Sequence, residues 1–236
     1  YEMFYEDAET AAPVLDLALT SRHDDAQGRI PMCGFPFHAS DGYVARLVKA
    51  GYRVAICDQI EDPKKSKGLV RREVVQVVSP GTATQPQLLE SKTGNYLSAI
   101  SANETSIGFA FADLSTGEFG VFQWDGKERW SLLADEWADL EPKELLLPDD
   151  MNEDLYKFKN VGAVWENEKL LISRQPSRNF DPKVGVRTLK SGFGLGSLDG
   201  LGLDQVPVGT GAASALYVFL KNSQGDRLGH LRPPCA

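Results

Sequence analysis

Several residue sets in this 236-residue chain have types and spacings that could do chemistry. Gly120-Val-Phe-Gln-Trp-Asp-Gly126-Lys127-Glu128 approaches a phosphate-binding loop. It is one residue too long, however, and lacks the Ser/Thr that would hold magnesium. Phe122 and Trp124 also suit a strand better than a loop that wraps its amides around phosphate. Gly209-Thr-Gly211-Ala-Ala-Ser214 loosely echoes a dinucleotide fingerprint, but the stretch before it is too short for a good strand. No acid follows about 20 residues later to take the ribose, so a glycine-containing helix start is the simpler reading. His23, His38 and His230 are too scattered for a metal cluster or a triad, and no Gly-x-Ser-x-Gly elbow occurs. Cys33, Cys57 and Cys235 have neither CxxC spacing nor the density of a disulfide scaffold.

Two sets remain. On a predicted strand over residues 107–114, Ile107, Phe109, Phe111 and Asp113 share one face, so Asp113 ends an apolar row just before a turn. A magnesium-dependent nuclease of ribonuclease H type would place a ligand there, but it would need two or three more converging carboxylates. Asp149, Asp150, Asp199 and Asp204 qualify only by type, and an Asx-type acceptor of turn amides explains Asp113 with fewer assumptions. The other set is Lys64, Lys65, Lys67, Arg71 and Arg72, five positive charges within nine residues beside Gly68. Such a loop is either simply solvated or lies along a phosphate backbone.

The elements that must position these groups fall into two halves. Residues 4–15 predict a helix that Pro13 ends or bends, and 16–21 alternate as a half-buried strand. A polar loop over 22–29 leads to the compact stretch 30–38. Ser40 then caps a helix carrying Tyr43, Val44, Leu47 and Val48 on one stripe and closed by Gly51. Residues 53–59 and 73–78 predict buried strands around the charged loop. Residues 79–91 are the candidate linker. Beyond it lie strands at 95–101, 107–114, 118–124, 144–147 and 161–165, and a helix with Trp130, Leu133, Ala134 and Trp137 on one stripe. A glycine-rich loop at 191–202 and a closing helix through Ala212, Leu216 and Leu220 follow. The whole predicts a mixed α/β class: a small mixed unit, then a sheet with helices packed on it.

Composition excludes other classes. Hydrophobic content of 42% and aromatic content of 9% exclude disorder, and no apolar run reaches a membrane-spanning length. A net charge of −8 argues at first against a nucleic-acid partner. Residues 1–90 hold ten basic and thirteen acidic side chains, so the five charges of the basic loop are a local concentration.

Ile30-Pro-Met-Cys-Gly-Phe-Pro-Phe-His38-Ala39 packs two prolines, a glycine and two phenylalanines into ten residues, which no generic turn requires. It resembles the Ile-Pro-Met-x-Gly-[Ile/Phe]-Pro-[Tyr/Phe]-His-Ala segment of the MutS family of mismatch-repair proteins. Tyr1-Glu-Met-Phe-Tyr-Glu-Asp-Ala8, Val54-Ala-Ile-Cys-Asp-Gln-Ile60, Asp62-Pro-Lys-Lys-Ser-Lys-Gly68, Val70-Arg-Arg-Glu-Val-Val75 and Ser79-Pro-Gly-Thr82 continue the resemblance in the family's order. Gly108-Phe-Ala-Phe-Ala-Asp-Leu-Ser-Thr-Gly117 extends it into the second half.

The resemblance implies a mismatch-recognition domain over 1–85, a linker at 86–91, a ribonuclease H-like connector domain without nuclease activity over 92–225, and the start of a lever region at 226–236. Tyr1 and Glu2 match the last two positions of the family's Phe-x-Glu sensor, in which Phe stacks on a mispaired base and Glu hydrogen-bonds it. The chain is then expected to begin inside that motif, as its first residue, Tyr rather than Met, also implies. Met32, Phe35 and Phe37 are expected to pack beneath this sensor as support, and Lys65, Lys67, Arg71 and Arg72 to contact the DNA backbone. The implied partners are mismatched duplex DNA, MutL through the connector, and a second copy in the full-length protein. No membrane is implied, and the implied location is the bacterial cytoplasm. No cofactor or catalysis is expected within this piece; ATP and magnesium would belong to an ATPase domain beyond it.

Overall fold

The computed structural model describes residues 1–25, 28–61, 68, 70–84, 94–151 and 170–236. The expected strand at 161–165 and the linker at 86–91 lie outside the described residues. The first half is built from two small sheets and two helices. β1 (Glu2–Phe4) and β2 (Thr20–Asp25) flank the central β3 (Gly28–Gly34), all antiparallel. The strand expected at 16–21 is displaced toward the C-terminus, and much of the polar stretch 22–29 is strand. Backbone pairing from Thr20↔Met32 to Asp25↔Gly28 supplies there what the side-chain pattern does not show.

α1 (Tyr5–Leu15) buries Ala8, Ala11, Ala12 and Leu15 at helical spacing, against Cys33 and Leu47. Pro13 sits within its last turn. The helix stops two residues after Leu15's predecessor, at Asp16, whose left-handed φ of 54° lets its N–H reach the Ala12 carbonyl. α2 (Ser40–Lys49) buries Val44, Ala45, Leu47 and Val48, and the chain leaves it through Gly51 at φ 89°. Ser40 is its first helical residue, following a 3-10 turn at Phe37–Ala39, and makes no capping bond.

β4 (Val54–Gln59) and β5 (Arg72–Val78) form an antiparallel hairpin. The expectation that both are buried fails. β4 alternates half-buried with exposed residues, and Val74 on β5 is 59% exposed. Among the described residues the hairpin is two-stranded, and α2 packs through Val44 and Val48 against Val54, Ile56 and Val78, so the other face of β4, with Ala55, Cys57 and Gln59, is exposed.

The second half is a five-stranded sheet in the order β10-β9-β6-β7-β8. β6 (Tyr96–Ala102), β7 (Ser106–Asp113) and β8 (Glu118–Asp125) form an antiparallel meander, and β9 (Glu144–Pro148) and β10 (Leu171–Gln175) add parallel to β6. Antiparallel meander, helix, then parallel strands is the ribonuclease H-like arrangement. α3 (Arg129–Leu140) covers one face through Leu133 and Trp137, meeting Ile107, Phe109, Phe111, Leu145 and Leu147. The helix α4 (Pro182–Phe193) precedes the long closing helix α5 (Pro207–Gln224). α5 covers the other face through Ala212, Leu216 and Leu220, meeting Leu97, Ala99, Ala110, Ala112 and Val121. The period of two along β7 sorts odd positions to α3 and even ones to α5.

The expected elements include neither β10 nor α4. β10 reads Leu-Ile-Ser-Arg-Gln and lacks an apolar pattern. α4 carries readable signals: Asp181 accepts from the amides of Lys183 (2.8 Å) and Val184 (3.0 Å), Pro182 opens the helix, and Gly194 ends it at φ 65°. Its last turn takes the start of the loop expected at 191–202. Residues beyond 228 run back along β8, where the Val121 amide donates to the Cys235 carbonyl at 2.9 Å.

Candidate nucleic-acid interface

The segment expected to be special, residues 30–39, closes the N-terminal strand onto β3. Glu2 pairs with Gly34, the Tyr1 amine donates to the Phe35 carbonyl (2.9 Å), and the Phe35 amide donates back to the Tyr1 carbonyl (3.0 Å). A Cβ on Gly34 would lie 2.6 Å from the Tyr1 carbonyl oxygen, so only glycine lets the two backbones approach this closely. Pro36 then turns the chain out of the strand into the 3-10 turn. An open recess of about 550 Å³ lies beside this junction, lined by Tyr1, Glu2, Leu17, Met32, Gly34 and Phe35 among others.

Glu2 is exposed at this recess. Met32, half-buried on β3, lies opposite Phe4 and Thr20 and lines the recess wall. Phe35 is half-buried, with its ring stacked on Tyr43 at 4.5 Å between centroids and an interplanar angle of 14°. Phe37 departs from expectation. It is 73% exposed, with its ring 5.6 Å from that of Tyr1. The turn after Pro36 carries it outward, so it flanks the N-terminal residues rather than packing beneath them.

Of the basic loop, Lys64, Lys65 and Lys67 lie outside the described residues. Arg71 and Arg72 stand where β5 begins, both exposed. The Arg71 guanidinium meets the Glu73 carboxylate, and Arg72 donates to the Val70 carbonyl at 3.1 Å. An ion pair this exposed is worth well under about 1 kcal/mol, so phosphate could displace Glu73 at little cost.

Asp113 and the glycines at 209 and 211 have structural roles. Asp113 is buried, and its two oxygens accept from the Asn95 amide (3.1 Å), the Ser115 amide (2.7 Å) and the Ser115 hydroxyl (2.6 Å). That is the turn-capping arrangement. Among the described residues, no group of three or more His, Cys, Asp or Glu could hold a metal ion. The two glycines let α5 lie close on its neighbours: a Cβ on Gly209 would meet the Phe122 carbonyl at 2.9 Å. The amides of Val208 (2.8 Å) and Gly209 (3.2 Å) already donate to Gln123 Oε1, which occupies the helix N-terminus.

Two polar arrangements have no counterpart in the sequence pattern. The Tyr1 hydroxyl donates to Asp58 Oδ1 at 2.6 Å, joining β1 to β4, and this bond chiefly pushes the tyrosine pKa up to about 12. At the boundary between the halves, the fully buried Glu144 carboxylate meets Arg53 (2.9 Å), the Ser173 hydroxyl (2.9 Å) and the Ser79 hydroxyl. A lone acid opening the run Glu-Leu-Leu-Leu-Pro was the available signal for the second. Among the described residues no helix is long and apolar enough to cross a membrane.

Comparison with known proteins agrees with this architecture. The family profile described as MutS domain I matches residues 1–87, and that of MutS domain II matches residues 95–232. The DNA mismatch repair protein MutS of Symbiobacterium thermophilum is 41% identical over 232 residues, which is 98% of this chain and 26% of that protein. The protein of the same name from Pelotomaculum thermopropionicum is 42% identical over the same shares. That of Lachnoclostridium phytofermentans is 37% identical over 98% of this chain and 24% of its own length. The chain thus spans about a quarter of the length of the curated relatives it matches. With two family domains matched in order along two separately cored halves, this chain belongs to the MutS family.

Proposed function

We propose that this chain is the mismatch-reading and connecting part of a DNA mismatch-repair protein, with Glu2 as the group that tests a mispaired base from the minor groove. The supporting observation is the placement of Glu2. It is an exposed carboxylate beside an open recess, on a strand held at backbone distance by Gly34. Chemistry favours this role. An ionised carboxylate only accepts hydrogen bonds, and the minor-groove edge of paired bases offers mostly acceptors. Glu2 therefore meets mostly acceptors along intact duplex and is favoured where mispairing frees a further base N–H. A phenylalanine at the position ahead of Tyr1, as the Phe-x-Glu resemblance implies, would complete the reader by wedging into the stack. The unstacking cost of a few kcal/mol falls where a mismatch has already loosened the step.

Lys65, Lys67, Arg71 and Arg72 contact phosphates and supply the salt-sensitive, sequence-independent part of the affinity. In this reading residues 1–85 form the recognition domain and 86–91 the linker. Residues 92–225 form the connector, which docks MutL and relays nucleotide state, and 226–236 lead toward the lever. Catalysis is not assigned to this chain. ATP and magnesium, and pairing of two copies, belong to regions of the relatives beyond the quarter matched here, and the protein works on DNA in the bacterial cytoplasm.

The test compares G·T heteroduplex with homoduplex binding at two salt concentrations, for the 236-residue chain and for the same chain extended by Gly-Asp-Phe ahead of Tyr1. The reading expects weak, unselective binding from the first and mismatch selectivity from the second. Equal selectivity in both contradicts the wedge.

A further inference from the structure

The segment carrying Glu2 is short. β1 has three residues and pairs with β3 along one side, so few backbone bonds hold the strand that carries Glu2. Neighbouring residues on a strand point to opposite faces, so an anchor on the Tyr1 side chain adds to the backbone bonds that fix the direction of Glu2. Tyr1 is anchored at both ends of its ring. Its body lies near Phe35 (6.2 Å) and Phe37 (5.6 Å), and its hydroxyl donates to Asp58 Oδ1 at 2.6 Å. Asp58 stands on β4, in the other small sheet of the same half, 57 residues away in sequence.

We propose that Asp58 is a positioning residue for mismatch reading: by holding the Tyr1 hydroxyl it ties the reading strand to the β4–β5 hairpin and fixes the aim of Glu2. This rests on the assignment of Glu2 as the reader. The hairpin that carries Asp58 also carries Arg71 and Arg72 at its loop end, where Gln59 pairs with Arg72. The anchor therefore sets the base-reading carboxylate and the phosphate-contacting arginines in one frame. The backbone bonds between Tyr1 and Phe35 do not involve Asp58, so its loss loosens aim without unfolding the strand.

Asp58→Ala, Asp58→Asn and Tyr1→Phe, made in the natural full-length protein that contains this sequence, test the inference. The readouts are melting temperature, homoduplex affinity, and the heteroduplex-to-homoduplex affinity ratio. Asp58→Ala and Tyr1→Phe are each expected to lower that ratio about five- to tenfold, the net effect of one hydrogen bond. The double variant should do no worse than either single one. Asp58→Asn removes the same charge but keeps an acceptor for the hydroxyl, and is expected to retain most of the ratio. Titration of tyrosine absorbance gives a check that involves no DNA. One phenol ionising near 12 should shift toward the ordinary value of 10 in Asp58→Ala and vanish in Tyr1→Phe. The bond needs the neutral phenol, so its contribution is present below pH 10 and disappears as pH rises through about 12. A selective wild type whose Asp58→Ala variant is equally selective overturns the positioning role and leaves Glu2 in place. A wild type with no selectivity overturns the reading of Glu2 and this inference together, whatever the titration shows.

Discussion

Arg53, just before β4, and Glu144, the first residue of β9, are 91 residues apart in sequence and meet at 2.9 Å across the boundary between the two halves. The Glu144 side chain has no solvent exposure, whereas that of Arg53 keeps 38%. A carboxylate buried this completely needs several donors. Ser79, which follows β5, and Ser173 on β10 provide them, while the Arg53 guanidinium also lies 5.4 Å from the Phe219 ring. Both halves of the chain therefore share one buried polar centre.

Replacing the half-exposed donor should cost no less than replacing the buried acceptor. Glu144→Ala leaves two hydroxyls and a guanidinium without their acceptor and is expected to destabilise the chain by on the order of 3 kcal/mol. Arg53→Ala leaves the fully buried Glu144 carboxylate with two serines and no counter-charge, and should likewise cost on the order of 3 kcal/mol. Urea denaturation of both variants and of the double variant measures this, and strictly additive effects would argue against a shared centre.

Asp113 should behave as a structural acceptor. Asp113→Ala strands three donors at a buried turn and is expected to cost about 2 kcal/mol in the same denaturation measurement. Incubated with single-stranded, duplex or hybrid substrates and Mg²⁺ or Mn²⁺, the wild-type chain should cleave none of them. Cleavage that Asp113→Asn abolishes would establish the nuclease alternative instead.

Backbone contact between sheet and helix makes a sharp test of the connector core. A Cβ on Gly108 would fall 2.3 Å from the Gly209 amide nitrogen, backbone against backbone. Gly108→Ala should therefore push α5 off β7 and cost about 3 kcal/mol. Gly42→Ala, inside α2 with nothing within 4 Å of the new methyl, should instead stabilise by about 0.5–1 kcal/mol through helix propensity. Thermal melts of the two variants should move in opposite directions.

The arginines at the base of the charged loop predict a salt effect. If Arg71 and Arg72 each neutralise one phosphate, replacing both with Ala should lower the slope of log affinity against log salt by about 2. Heteroduplex and homoduplex should weaken alike, since phosphate contacts carry no base information. A loss confined to heteroduplex would place these residues on the bases.

Local physics is legible in the sequence and distant pairing is not. The meander β6–β8 and helix α3 show clear periodicities because each buries one defined face. The stretch 30–39 is conspicuous because Gly34 and Pro36 answer local backbone demands, a close approach and a turn. Phe37 is expected beneath the sensor on the resemblance, but the turn after Pro36 decides its direction. β4 reads as buried because nothing local says that, among the described residues, its hairpin gains no third strand. Asp58 and Glu144 escape notice because their partners lie 57 and 91 residues away, where no spacing rule reaches.

The assignment of Glu2 as the group that reads the mispaired base stands or falls on one affinity ratio. Full-length protein and its Glu2→Ala variant are titrated with a G·T heteroduplex and the matched homoduplex at one salt concentration. Glu2→Ala is expected to bind homoduplex as well as or better than wild type, because a carboxylate no longer faces acceptors and phosphates, while its heteroduplex preference falls about tenfold or more. An unchanged preference, or an equal loss of affinity for both duplexes, would contradict the assignment.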